Sequence, residues 1–275
     1  MANSKFEYVR TFEREETLLP QTWIVIRIDG RGFHKLSKHY TFTKPNDARA
    51  LGLMNAAAKH VLHSIPDILV AYGVSDEFSF VFDRDTTLFD RRRDKLVSTV
   101  VSTFTAAYVA LFDQIQKNID LAFLPTFDSR AILYPSVSTL RDYLAWRQVD
   151  CHINNLYNTT FWALGTVASD KNEILWSQFG INYNNEPEMF RKGSVVFREY
   201  RDKDRKIVDG SMTEHIGGGG GEPVSRTQQE KRKKARARAE IVVKHCDIIK
   251  DDFWDQRPWL MLSRRDGAGG KETRN

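Results

Sequence analysis

The order of its predicted elements indicates that this chain has an α+β fold of the ferredoxin-like, split βαβ type. Apolar runs at residues 23–29 and 67–82 are rich in β-branched and aromatic side chains, which is typical of strands. Helical periodicity occupies residues 45–63 and 87–117, and a last strand candidate covers residues 129–134. The order strand, helix, strand, strand, helix, strand predicts an antiparallel sheet with helices packed against it.

The first strand ends at a carboxylate that is followed by glycine. Its isoleucines alternate with Val25, Arg27 and Asp29, so the two sets are expected to face opposite sides of the sheet. Gly30 lets the backbone approach a ligand closely. We therefore consider Asp29 and the carbonyl of Gly30 as ligands of a hard cation such as Mg²⁺. Arg27 shares the Asp29 face and is a candidate partner for a phosphate group.

The main chain that follows this strand is a second candidate part of the site. Consecutive N–H groups in a turn can point at one anion, and here they are those of Gly30, Arg31, Gly32, Phe33 and His34. This turn is therefore expected to bind nucleotide phosphates. An Asp-Gly pair after a strand is also a common turn signal without any ligand, and composition alone leaves both interpretations open.

Residues 67–82 are interpreted as a β-hairpin with Gly73 near its turn and three alternating phenylalanines in the core. Asp76 and Glu77 are adjacent, so in a regular strand they point to opposite faces. We predict that Asp76 shares cations with Asp29. Glu77 is predicted to support catalysis, or to be a ligand only if the turn contains a bulge. The triplet Ser75-Asp76-Glu77 is also compatible with a solvated loop or a helix cap.

The two helices of this half are recognised by apolar stripes at helical spacing. Cations open the second helix at residues 90–95, where they are electrostatically disfavoured, so either a solvated first turn or a bound anion is expected there. The residues predicted to face inward are Leu51, Met54, Ala58 and Val61 in the first helix, and Leu96, Val100, Phe104 and Tyr108 in the second.

The chain is predicted to divide into a catalytic region, residues 1–136, and a helical and hairpin region, residues 137–275. The second region is expected to contain a helix over 138–164, a polar loop at 182–188, a hairpin of 194–200 with 207–209, a glycine linker at 217–221 and a docked aromatic segment at 247–262. The six cations between residues 231 and 238 fit a solvated helix, a localisation signal or an RNA-binding face.

The composition restricts the class of protein. The chain has 275 residues and a net charge of +5, which favours a polyanionic partner. Two cysteines, Cys151 and Cys246, are too few for a disulfide framework. The sequence has neither a signal-peptide pattern nor a run of roughly 18 apolar residues that would span a membrane. The expected location is intracellular, in the cytoplasm, the nucleus or both.

Several ordered blocks give the chain a specific resemblance. They are Arg27–His34, Lys44–Asp47, Ser75–Ser79 and His152–Asn158, with the shorter runs Asp128–Arg130 and Asn182–Pro187. Together they resemble the signatures of the tRNA-His guanylyltransferase family, from the N-terminus to about Phe197. The resemblance implies a polymerase-palm-like fold, addition of a guanylate to the 5′ end of histidine tRNA, ATP and GTP as substrates, two Mg²⁺ ions and a homotetramer.

The resemblance also implies roles for residues of this chain. The nucleotide-binding set gains Ser75 and Asp76 beside Asp29 and the turn from Gly30 to His34. The implied phosphate partners, besides Arg27, are Lys44, Arg92 and Lys95. The implied tRNA contacts are His152 and Asn155. Independently of the resemblance, Lys192 is one of two cations beside a turn, which fits either a solvated hairpin or a contact with the tRNA phosphate backbone. The family has a longer connector after Leu164, so contacts made by that connector are not carried over.

The family's reaction sequence begins with transfer of adenylate from ATP to the 5′-monophosphate of the tRNA. The 3′-hydroxyl of GTP then attacks and expels AMP, and pyrophosphate is finally removed from the added guanylate. Three alternatives stay open: a nucleotide cyclase of the same fold, an enzyme of broader templated 5′-end repair, and a non-catalytic tRNA-binding protein. The last would tolerate loss of Asp29 and Asp76 and would bind in a strongly salt-dependent way.

Overall fold

The computed structural model describes residues 4–165, 170–201, 207–208, 227, 230–231, 234, 236 and 238–261. Its strands are β1 (Trp23–Gly30), β2 (Ile68–Val74), β3 (Glu77–Phe82), β4 (Phe127–Tyr134), β5 (Ser194–Arg201), β6 (Ile207–Val208) and β7 (Glu240–Lys244). Its helices are α1 (Phe33–His39), α2 (Ala48–Ser64), α3 (Arg93–Ala110), α4 (Val137–Leu164), α5 (Lys171–Phe179), α6 (Glu188–Lys192) and α7 (Asp252–Asp255).

The described strands form one seven-stranded sheet in which every pairing is antiparallel. Its order is β4-β1-β3-β2-β5, with β7 also paired to β5 and β6 paired to the end of β5. Helix α2 connects β1 to β2, and α3 connects β3 to β4. This is the predicted βαββαβ arrangement, so the palm-like α+β fold is confirmed. Strands β5 and β7, which come from the C-terminal half, extend the same sheet.

The two faces of the sheet carry separate apolar cores. The α2/α3 face, covered by these two helices, buries Ile24, Ile26, Ile28, Phe78, Phe80 and Phe82. The α4 face, covered by α4 and the C-terminal segment, buries Trp23, Val25, Val81, Leu140 and Leu144. The alternation predicted for β1 and the core role of the three phenylalanines are therefore confirmed, because neighbouring residues of a strand point to opposite faces.

The helices follow the predicted stripes. All predicted inward-facing residues are buried except Leu51, which is half-buried. Asp47 caps α2 by accepting the N–H groups of Arg49 and Ala50, which explains why the helix starts where the sequence indicates. Helix α4 has 28 residues and begins with a capping box of Ser136 and Thr139. At about 1.5 Å per residue it is long enough to connect the core of the α4 face with the sheet edge.

The predicted long helix over residues 87–117 is shorter in the structure. Phe89, Asp90 and Arg91 adopt positive φ angles of 52°, 54° and 58°, which a helix cannot contain, so α3 starts only at Arg93. The guanidinium of Arg91 is buried and donates to main-chain carbonyls, among them that of Leu18. This irregular turn therefore anchors the N-terminal segment instead of opening a helix.

Three further elements differ from the prediction. Gly73 lies inside β2, where a side chain would collide with the ring of Phe78, and the hairpin turn is formed by Ser75 and Asp76. Helix α1 was not predicted. The polar and aromatic residues 4–14 favour a short amphipathic helix before β1, but the structure has a 3₁₀ helix at Glu7–Phe12 without buried residues.

The C-terminal segment docks on the body of the protein as predicted, and the structure places it on the α4 face with Phe253, Trp254 and Trp259 buried. Arg236, one of the six clustered cations, is buried and forms an ion pair with Asp83 at 2.7 Å, so this member of the run is part of the folded body. The glycine linker lies outside the described residues. Among the described helices, none is long and apolar enough to cross a membrane.

Candidate functional site

The predicted carboxylates lie where β1 ends beside the β2–β3 turn. This end of the strands is called the sheet edge below. In the antiparallel register Asp29 pairs with Glu77 of β3 and, on its other side, with Asp128 of β4. Cross-strand partners share a face, so these three acids form a row on the α4 face. The N–H of Gly30 donates to the carbonyl of Asp76 at 3.0 Å, which holds the β2–β3 turn beside the end of β1.

Each acid of this row has an arginine within ion-pair distance. The pairs are Asp29 with Arg27 at 3.3 Å, Glu77 with Arg147 at 2.9 Å and Asp128 with Arg130 at 2.9 Å. Burial raises the pKa of Glu77, and the charges of Arg147 and Arg27 oppose that rise. Glu77 thus points toward arginines and away from the turn, which fits the supporting role predicted for it.

Asp76 differs from the acids of this row. Its carboxylate accepts a hydrogen bond from the Ser75 hydroxyl at 3.0 Å, and none of its described contacts is an ion pair. Burial raises the pKa of Asp76, and the negative charge of Asp29 raises it further. The two carboxylates predicted to share cations therefore interact electrostatically across the sheet edge.

The donors at this edge suit a hard divalent cation. Two neighbouring carboxylates, one of them without a basic partner among the described residues, repel each other unless a cation lies between them. Within the described ranges, no three His, Cys, Asp or Glu side chains form a metal-binding cluster. Mg²⁺ typically uses one or two carboxylates and completes its shell with water and substrate phosphates, so Asp29 and Asp76 fit it.

Gly30 is required by the packing of this edge. A Cβ atom at this position would lie 2.4 Å from the ring of Phe33 and 2.8 Å from a carboxylate oxygen of Asp76. Any side chain here would displace one or both groups. Glycine thus allows the close approach that brings the Asp76 carboxylate to the end of β1.

The predicted phosphate-binding turn is smaller than the sequence suggested. The N–H of Gly30 already donates to Asp76, and that of Arg31 donates to the carbonyl of Thr126 at 2.8 Å. For these two residues the prediction of main-chain phosphate donors is wrong, because the carbonyls of Asp76 and Thr126 already accept their N–H groups. Among described contacts the N–H groups of Gly32, Phe33 and His34 remain without an acceptor.

A cleft of about 380 Å³ opens beside Asp76, within the range of small-ligand sites. Phe33 and His34 of α1 form one wall, and α4 forms another through Cys151 and three asparagines. Apolar side chains from α2 and α6 complete it. The lining residues used below are Phe33, His34, Lys44, Asn46, Asp47, Ser75, Asp76 and Asn155.

Lys44 and Asn155 are two of the six predicted site residues that line the cleft. The ammonium group of Lys44 donates to the hydroxyl of Ser37 at 3.1 Å and lies 5.8 Å from the ring of Trp162. Asn155 donates to the side-chain oxygen of Asn46 at 2.6 Å and accepts from the hydroxyl of Tyr183 at 3.0 Å. Asn155 therefore fixes the loop that carries Lys44 as well as facing the cleft.

The other predicted contacts lie outside the described cleft lining. Arg92 forms an ion pair with Glu15 at 2.7 Å, and Lys192 forms one with Glu188 at 2.6 Å. Lys95 and His152 are exposed, and the ring of His152 meets that of Tyr183 edge-on. These side chains are thus available only to a ligand that extends beyond the cleft.

Sequence reasoning missed Arg147 and the position of Asp128. Asp128 was noticed only as part of a motif, and its place beside Asp29 depends on the register of β1 with β4. Arg147 lies on α4, 70 positions after Glu77, and no local pattern signals that contact. The strand alternation of β4 is the one signal that could have placed Asp128 on the face of Asp29.

The geometry can be compared with known proteins. The family model described as tRNAHis guanylyltransferase matches residues 6–135, and that of the Thg1 C-terminal domain matches residues 138–165 and 164–250. A tRNA(His) guanylyltransferase of Neurospora crassa is 56% identical over 99% of this chain and 100% of its own length. One of Debaryomyces hansenii is 49% identical, covering 95% of this chain and 100% of the relative.

Solved structures agree with these relatives. The crystal structure of the Saccharomyces cerevisiae tRNA(His) guanylyltransferase is 49% identical, with a TM-score of 0.67 over 74% of this chain and 95% of that chain. A bacterial tRNA(His) guanylyltransferase-like protein in complex with ATP has a TM-score of 0.73 at 21% identity, covering 94% of this chain and 100% of that chain. At that identity the second match supports the fold alone.

Proposed function

Because this chain belongs to the tRNAHis guanylyltransferase family of nucleotidyltransferases, we propose that it adds a guanylate to the 5′ end of histidine tRNA. The observation that carries the proposal is a cleft of small-ligand size lined by Asp76, in a turn that the Gly30 N–H holds against the end of β1 beside Asp29. Bacterial structures of this fold have been solved in complex with ATP and with GTP, and we propose that this chain uses the same two nucleotides.

The proposed reaction has three transfers. An oxygen of the tRNA 5′-monophosphate attacks the α-phosphorus of ATP, and pyrophosphate leaves. The 3′-hydroxyl of GTP attacks the activated 5′-phosphorus, and AMP leaves. Water finally cleaves the bond between the α- and β-phosphates of the added guanylate and releases pyrophosphate. The products are tRNA with one additional 5′ guanylate, AMP and two pyrophosphates.

The residues at the end of β1 and in the cleft beside it would have separate roles in this reaction. Asp29, Asp76 and the Gly30 carbonyl would hold two Mg²⁺ ions, which when bound would lower the barrier to attack and neutralise the departing phosphates. The unpaired N–H groups of Gly32, Phe33 and His34 and the ammonium of Lys44 would bind the triphosphate. Glu77 would hold its neighbours in place and would not bind the cation itself.

The test is extension of 5′-labelled histidine tRNA with ATP, GTP and Mg²⁺. Asp29→Ala and Asp76→Ala should each lower the rate by about 10³-fold, since several kcal/mol of charge stabilisation would be lost. Asp142→Ala, on the exposed side of α4, is the matched control and should retain activity. If Asp29→Ala or Asp76→Ala extended the tRNA fully while circular dichroism showed an intact fold, the assignment of these two acids as cation ligands would be refuted.

The same assay separates the neighbouring activities. Cyclic or dinucleotide product from nucleotides alone would identify a cyclase, and repair of 5′-truncated tRNAs other than histidine tRNA would identify a broader polymerase. We further propose a homotetramer inside the cell, in the cytoplasm or nucleus, as the family implies. Light scattering on the purified chain should give four times the mass of 31.8 kDa.

A further inference from the structure

A connected series of charged side chains lies on the α4 face behind Asp29. Glu77 is 7% exposed and lies between two arginines, with Arg147 2.9 Å from one carboxylate oxygen and Arg27 3.4 Å from the other. Arg27 also donates to Asp29 at 3.3 Å. The order of contacts is therefore Arg147, Glu77, Arg27, Asp29, and it ends at the sheet edge.

Arg147 is the most firmly held member of this series. It is 6% exposed, and its terminal nitrogen donates to Asp150, one helical turn further along α4, at 2.6 Å. Its guanidinium lies 4.3 Å from the centre of the Trp146 ring. A planar guanidinium held by a carboxylate and an aromatic ring keeps a fixed orientation. Arg147 can therefore act as a fixed point for the charges in front of it.

The contacts of Glu77 with the two arginines are ion pairs at contact distance rather than aligned hydrogen bonds, since neither guanidinium Nε has a hydrogen-bond partner among the described atoms. Their attraction depends on charge more than on hydrogen-bond direction. If Arg147 were removed, Arg27 would be the nearest remaining cation of a buried carboxylate. Arg27 would then move toward Glu77, and its hydrogen bond to Asp29 would be weakened.

We propose that Arg147 is a positioning residue for the cation site: by satisfying Glu77, it leaves Arg27 free to orient the carboxylate of Asp29. The proposal rests on the proposed function, because it assumes that Asp29 is a cation ligand. Residues that orient metal ligands without touching the metal typically change metal affinity or activity by about 10- to 100-fold when they are replaced. Glu77 acts through the same contacts and is a positioning residue as well.

The experiment measures Mn²⁺ binding by electron paramagnetic resonance on the full chain with saturating GTP, corrected for Mn²⁺ on free GTP. Arg147→Gln should weaken Mn²⁺ binding by about 10-fold. Arg141→Gln is the matched control, because Arg141 lies on the same helix and pairs with Asp251 away from the sheet edge, at 2.7 Å. This variant should bind Mn²⁺ as the wild type does.

A double-mutant cycle separates positioning from general stability. In Arg147→Gln/Glu77→Gln the neutral amide no longer attracts Arg27, so Mn²⁺ affinity should be no weaker than in Glu77→Gln alone. If Arg147→Gln lowered Mn²⁺ affinity by the same factor in the wild-type chain and in the Glu77→Gln variant, the proposal would be overturned. Arg147→Lys, which keeps the charge, should bind Mn²⁺ more tightly than Arg147→Gln and serves if the latter does not fold.

Asp29→Ala distinguishes this proposal from the proposed function. If Asp29→Ala binds Mn²⁺ like the wild type, the cation site itself is wrong. If Asp29→Ala loses binding while Arg147→Gln stays within twofold of the wild type, only the positioning role is overturned. A fall in melting temperature of Arg147→Gln without a change in Mn²⁺ affinity would mark Arg147 as merely structural.

Discussion

The acids on the two sides of the sheet edge differ in whether they have an arginine partner. On the α4 face, Asp29, Glu77 and Asp128 each lie beside an arginine. On the cleft side, Asp76 lies against a glycine and a serine hydroxyl, and its strongest charged neighbour is another acid. Glu77 lies between two arginines and contributes to the fold, whereas Asp76 lies beside the like charge of Asp29 and requires a cation from outside. Asp29 belongs to both sides, because Arg27 orients it and Asp76 is its acidic neighbour.

The largest expected effect is on stability, and it contrasts two adjacent acids. Glu77→Gln leaves the buried Arg147 and the half-buried Arg27 without their shared carboxylate and should lower the free energy of unfolding by about 3 kcal/mol. Asp76→Asn removes a like-charge repulsion and should leave stability unchanged or slightly higher. Urea denaturation of both variants measures this contrast. Equal destabilisation by the two substitutions would contradict the claim that Glu77, and not Asp76, stabilises the fold.

The next effect concerns the close approach at the end of β1. Gly30→Ala would push the Asp76 carboxylate or the Phe33 ring aside, and misplacement of such a group by about 1 Å can cost on the order of 100-fold in rate. Gly52→Ala is the matched control, because a Cβ at Gly52 meets no atom within 4 Å. Gly52 lies inside α2, and Gly52→Ala should increase stability by about 1 kcal/mol at unchanged activity. An active Gly30→Ala enzyme would show that the approach is not needed.

The smallest effect concerns the one acid of the cleft wall that has its own arginine. Asp47 caps α2 and pairs with Arg49 at 2.7 Å, and this hydrogen bond holds the pKa of Asp47 well below its usual range. Asp47→Ala should therefore cost about 1 to 2 kcal/mol of stability at neutral pH. Asp142→Ala, an exposed acid of α4, should cost little.

The pH dependence of this last effect has a definite sign. Because the folded-state pKa of Asp47 is depressed, its stabilisation is present above the unfolded value of about 4 and is lost as the pH falls toward the folded value. The difference in melting temperature between wild type and Asp47→Ala should therefore shrink below about pH 4. A difference that stayed constant with pH would assign the effect to packing.

Much of the fold could be predicted because it depends on local periodicity. The isoleucines of β1, the phenylalanines of β3 and the stripe on α3 all repeat with the period of their element. The elements that were missed lack such a pattern. Helix α1 has seven residues, of which only Leu36 is buried. Strand β7 has five residues that pair with β5 more than 40 positions earlier.

The sequence by itself determined that Asp29 lies at the end of a strand. It also determined that the adjacent acids Asp76 and Glu77 point to different sides of their hairpin, because side chains alternate along a strand with a period of two. Only the tertiary structure decided which of the two adjacent acids meets arginines and which faces the cleft. That choice depends on the packing of α4, which carries Arg147 onto Glu77 from 70 positions away. Contacts between distant segments follow from how whole elements pack, and no short stretch of sequence encodes them.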